Sequence, residues 1–139
     1  MIKPESTMAQ EIAQAVIAFQ QQTTGHLPGA VTVVLSQDTL VITLHEALSP
    51  AERDMAKSPA GAAQVQEFHR QLFFSSSKSL QYEIERITGV QVREAVAEVE
   101  PTTGTVVQAF TSSAMVQVFQ LAQSVPADSW SSSKACDQS

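Results

Sequence analysis

The sequence predicts an α+β domain in which two β-hairpins form one four-stranded antiparallel sheet covered by helices, in the order α-ββ-αα-ββ-α. Three observations carry this. Apolar residues recur at helical spacing over 8–19 and 65–87. Strict alternation marks 31–35 and 40–44, and a second pair of strand-like runs flanks the Pro-Thr-Thr-Gly turn at 101–104. Two hairpins alone are marginal in water, and each helix carries only one apolar stripe, so sheet and helices must cover one another.

Each element follows from its own pattern. Over 5–22, Met8, Ile12, Val16 and Phe19 line one helix face while the other is mainly Gln and Ala, which reads as a surface helix with one buried stripe. Glu5 or Ser6 opens it, and Gly25 suits a left-handed cap. Val31, Val33 and Leu35 share one face of the first strand, and Leu40, Ile42 and Leu44 one face of the second, across a polar turn at 36–39. Ser49-Pro50-Ala51-Glu52 is a capping box with proline at the first helical position, and Ser58-Pro59 repeats its serine–proline half. The first helix of this pair is therefore brief. Along the longer one Val65, Phe68, Leu72 and Phe73 form the expected buried stripe, with His69 beside it. Three serines at 75–77 weaken the helix before Leu80, Ile84 and Ile87 resume the stripe and Gly89 closes it.

The second hairpin begins with Val90 and Val92, but Ala95, Ala97 and Val99 carry a shifted phase, which predicts a β-bulge near 93–94. Thr105 to Phe110 is its returning strand. A last helix is expected over 112–123 through Met115, Phe119 and Ala122. The domain thus runs over 5–123, followed by a Ser-rich tail at 124–139 that is expected to be disordered, as are residues 1–4.

Composition narrows the function. At 139 residues and 43% hydrophobic content the chain supports one domain with a real core. Its formal charge of −6 argues against nucleic acid and against electrostatic docking on anionic lipid. No apolar run reaches the roughly 18–20 residues of a spanning helix. The single cysteine, Cys136, lies in the tail without a disulfide partner. These features lead us to expect a cytoplasmic protein.

No catalytic or metal-binding constellation stands out, and no cofactor is expected. His26 lies in a loop, His45 at a strand end and His69 on a helix, without ligand spacing between them. His69 reads as a hydrogen-bonded histidine at the core edge. Glu52, Asp54, Glu67, Glu83 and Glu85 read as charged helix surface, with Glu67 and Arg70 as i, i+3 neighbours. Ser75–Ser77 lacks a nucleophile elbow, and the Gly25–Gly29 loop lacks a phosphate-binding fingerprint.

The residues Leu48, Pro50, Ala51 and Glu52 with Ala56 after them, then Gly61 and Arg70, then Thr88-Gly89-Val90 and Val92, resemble the MpsC-like family over about 9–110. That family is named for a subunit of a bacterial membrane potential-generating system. The resemblance implies a role alongside membrane proteins that support membrane potential and inorganic-carbon supply, and it implies no catalytic residues. Two departures stand out. Gly25-His26-Leu27-Pro28 replaces a Gly-Arg-Gly-Pro-like loop, and SSSKS at 75–79 replaces a more charged helical stretch, so a kink is expected there.

Three classes of function follow. The first is a non-enzymatic accessory protein that acts through a protein partner such as a membrane transport complex, peripheral to the inner membrane, with homodimer formation expected from two poorly protected sheet edges. The second is a small-molecule or ion-binding regulatory domain, and the third an enzyme using histidine and carboxylate. Gly25, His26, Pro28, Ser49, Glu52 and Arg70 are the candidate ligand or partner residues. Convergence of a histidine with two carboxylates would favour the enzyme, a deep apolar pocket the ligand-binding domain, and an exposed apolar patch the accessory protein.

Overall fold

The computed structural model describes residues 7–112. In chain order they form α1 (Met8–Thr24), β1 (Ala30–Ser36), β2 (Thr39–His45), α2 (Pro50–Met55), α3 (Pro59–Ser76), α4 (Lys78–Thr88), β3 (Glu94–Glu100) and β4 (Thr105–Thr111). The strands make one antiparallel sheet in the order β1-β2-β4-β3, which is the predicted α+β class. The expected helix at 112–123, the tail and the first residues lie outside the described residues, Ser112 excepted.

Register sets one apolar face. Val31, Val33 and Leu35 pair with Leu44, Ile42 and Leu40, which pair in turn with Val106, Gln108 and Phe110. Ala95, Ala97 and Val99 complete that face through Phe110, Gln108 and Val106. Ile12, Val16 and Phe19 of α1, Val65 and Phe73 of α3, and Leu80 and Ile84 of α4 close over it to make one core. Phe73 packs against both Phe19 and Phe110, with ring centroids 6.4 and 5.8 Å apart, and so joins α1 and α3 to the sheet. The two strands at the sheet margin are treated differently. Gln66 of α3 donates its amide to the Val99 carbonyl of β3 at 3.2 Å, whereas β1 leaves Val34 and Leu35 exposed.

Several expectations are corrected. The first helix is opened by Thr7, not by Glu5 or Ser6: its hydroxyl accepts from Gln10 N–H while Gln10 reaches back to the Thr7 N–H. Met8 is 57% exposed because it sits in the first turn, beyond the part of α1 that lies on the sheet. Leu35 is exposed although it has the right phase, since it ends an edge strand. Gln20, on the face read as surface, is buried against Gln108. In α3 the buried stripe is Gly61, Val65, His69 and Phe73, with Phe68 outside. The one-to-one β3–β4 ladder begins at Glu94 opposite Thr111, but Arg93 also donates its N–H to the Thr111 carbonyl at 2.6 Å, so two residues face one there, as in the expected bulge. Val90 and Val92 precede the strand, and the Val92 N–H is held by the Glu85 carboxylate, 2.8 Å away.

Other expectations hold. Gly25 and Gly89 adopt φ of 75° and 76° as left-handed caps. The serine run ends α3 and starts α4 at the buried Ser77, the expected break. Gly61 carries the tightest constraint: a Cβ there would overlap the backbone carbonyl oxygen of Met55, where α2 meets α3. Gly61→Ala should therefore destabilise the protein by about 1–3 kcal/mol, outweighing the roughly 1 kcal/mol that alanine gains in helix propensity. The urea midpoint measures this; a higher midpoint would show that the approach of α2 and α3 is not so close.

Candidate functional site

The segment between the hairpins supplies the one buried charged cluster described. Ala47 donates its N–H to the Gly104 carbonyl at 2.8 Å, and Ala47 and Leu48 are buried, so the start of α2 is pinned to the second hairpin's turn. Ser49 then caps α2. Its hydroxyl accepts from the Glu52 N–H at 3.3 Å, and one Glu52 carboxylate oxygen accepts from the Ser49 N–H at 2.8 Å. The predicted box is complete, but it has a third member. The other Glu52 oxygen lies 2.7 Å from His69 Nε2, across from α3.

This pair is enclosed. The His69 side chain is 6% exposed and that of Glu52 17%, so Glu52 is not the surface charge expected from its helix. The Phe68 ring stands edge-on to the imidazole at 5.4 Å. Burial pushes the Glu52 carboxyl up, but the His69 hydrogen bond, the Ser49 N–H and attraction to the imidazole together outweigh it. They bring the carboxyl from 4.5 down to about 2. A carboxylate held so low is a poor proton donor near neutrality. The Ser49 hydroxyl faces the α2 backbone, and no hydrogen bond joins it to the imidazole among the described residues. The arrangement orients a histidine and locks α2 onto α3.

The other candidate residues lie apart from this pair. His26 Nε2 is 3.1 Å from the Glu46 carbonyl oxygen, and the Gly29 N–H donates to the His45 carbonyl at 2.7 Å. The 25–29 loop, with Gly25 and Pro28, is thus folded back on the end of β2, while the His45 side chain is exposed. Arg70 bonds Glu67 and Glu98, each at 3.0 Å, as a half-exposed strut between α3 and β3. These contacts, Glu98 first, raise its already high pKa. Asp54 and Glu83 lie on the charged helix surface as expected, where they pair with Lys57 and Arg86. Among the described residues no group of three or more His, Cys, Asp or Glu could hold a metal ion, and none of the three histidines is bonded to two carboxylates. The Glu52–His69 contact was missed because it spans 17 positions and two helices. The only sequence signal was a histidine beside an apolar stripe.

Because the Glu52 pKa is lower in the folded protein, its contribution to stability is fully present above about pH 4.5 and is lost as pH falls toward 2. Glu52→Gln should lower the denaturant midpoint most above pH 4.5, with the gap from the parent protein closing as pH approaches 2. A gap that does not change with pH would rule out the stabilised Glu52 carboxylate.

One family model matches residues 5–113; its description is "Na+-translocating membrane potential-generating system (MpsC)". No curated protein and no solved structure matches the chain.

Proposed function

The chain belongs to the MpsC family, and from that premise we propose that it is a non-enzymatic accessory protein of a membrane potential-generating system that also serves inorganic-carbon supply. It works on the cytoplasmic side of the inner membrane and is held there by a protein partner. The family match carries this reading, and three structural features support it. No helix among the described residues is long and apolar enough to cross a membrane, and a chain of net charge −6 gains nothing from an anionic lipid surface. Glu52, His69 and Arg70 are engaged in joining helices and sheet. Large apolar side chains nonetheless face outward, with Phe74 on α3 and Tyr82 on α4 at 87% and 72% exposure.

Deleting the gene should lower the membrane potential and impair growth at low carbon dioxide, and added carbon dioxide should restore growth. A His26→Ala, His45→Ala double variant, confirmed to be folded, should complement the deletion. His69 is left intact because its loss would disturb the Glu52 pair. A deletion strain with normal potential and normal growth would remove the assignment, and failure of the folded double variant would favour a ligand or catalytic role.

Self-association follows from the sheet margins. β1 has no covering partner for its outer edge among the described strands, and it lacks the lysine or proline that blunts such edges. We therefore expect a homodimer paired through β1. Light scattering at tens of micromolar should give twice the chain mass for the parent protein and the chain mass for Val34→Lys. A parent protein of single-chain mass would exclude this dimer.

A further inference from the structure

The N-terminal end of α1, the β1–β2 turn, the C-terminal end of α4 and the segment after it surround a cavity of about 440 Å³. It lies at the opposite end of α1 from the 25–29 loop, away from every residue singled out by the sequence as a candidate ligand contact. Ile12, Val33, Leu40, Ile84, Val92 and Phe110 supply its apolar wall. Met8, Leu35 and Val90 also line it, although they are 57%, 67% and 54% exposed. A single exposed apolar side chain is ordinary, but three around one apolar cavity form a continuous surface for an apolar guest.

We propose that this cavity binds a neutral lipophilic small molecule, such as a compound of two or three rings or a short branched hydrocarbon with one polar end. Size and charge both point there. An apolar cavity of ~150 Å³ takes up benzene, so 440 Å³ holds roughly three such volumes, on the order of fifteen heavy atoms. That lies within the range of small-molecule sites. Among the described residues no Lys, Arg or His lines the cavity, and the one ionisable lining residue is Asp38. A carboxylate or phosphate headgroup would meet the like charge of Asp38 and, among the described residues, no counter-ion. Gln37 and Gln91, both exposed among the lining residues, offer amides suited to a hydroxyl or carbonyl on the guest. The site is independent of the family assignment and of the Glu52–His69 pair.

Titration of the full chain with the neutral fluorophore N-phenyl-naphthylamine tests it. The expected result is saturable, blue-shifted fluorescence at one site per chain, with competition by a neutral terpene alcohol. The anilinonaphthalenesulfonate analogue, which adds a negative charge, should bind roughly tenfold more weakly or worse. Ala9→Phe, at an exposed position lining the cavity, should fill it and weaken the neutral probe by a similar factor. Ala18→Phe, exposed on α1 but not lining the cavity, should leave binding unchanged. Val90→Trp provides a second filling variant should Ala9→Phe fail to fold. Absence of saturable binding, equal affinity for the anionic probe, or unchanged affinity in a folded filling variant would each overturn the proposal.

Discussion

The pairing of β2 with β4 is the constraint on which the rest of the molecule depends. Each hairpin closes locally, but the sheet exists only because the last described strand returns beside the second. Leu40, Ile42 and Leu44 then lie against Phe110, Gln108 and Val106. These six positions are all buried and form the middle of the core face. Long-range pairing of this kind has to offset the entropy of closing the chain between the hairpins. The intervening helices shorten that closure by packing on the sheet they connect: α3 lies against β3, and α4 lies against α1. Moving β4 by one residue would turn Phe110 outward and Ala109 inward, so the register and the core specify one another.

The Glu52–His69 pair belongs to the same economy of closure. A six-residue helix has little intrinsic stability, and α2 buries no residue of its own. It persists because its first turn is held: Ser49 caps its start, the Ala47–Gly104 bond fixes the chain leading into it, and Glu52 reaches His69 on α3. Gly61 then lets the start of α3 approach the Met55 carbonyl. The buried histidine and its strongly acidic carboxylate thus tie a short helix to the longer one that follows it.

What is legible in the sequence is what local physics decides. The Ser49 box, the Gly25 and Gly89 caps and the break at Ser77 each depend on a few neighbouring residues, and the structure shows all of them. Partners distant in sequence decide the rest. Phe68 is the more apolar neighbour of His69, yet the histidine turns inward because its polar edge finds Glu52 there. Gln20 looks like surface until Gln108, 88 positions away, donates to it at 3.4 Å. Val90 and Val92 alternate like a strand, but Glu85 takes the Val92 N–H, and contact with β4 starts only at Arg93, whose N–H donates to the Thr111 carbonyl. The apolar cavity was equally hidden, since its lining comes from α1, both hairpins and α4, and its mouth uses Met8 and Leu35, which periodicity assigns to the core.

Leu35 links the two surfaces through which this protein is proposed to act. It lines the cavity and sits in the last two residues of β1, the strand with an open edge among those described. A guest that orders the Leu35 end of β1 would lower the entropy cost of adding a strand to that edge. By linkage, strand addition would then tighten the guest by the same factor. A guest that draws Leu35 inward, out of the register Leu35–Leu40, would instead oppose pairing. The sign of the coupling thus depends on one side chain at the tip of an edge strand, where few contacts resist displacement. This end of the sheet joins an apolar cavity to a strand edge left open among the described strands.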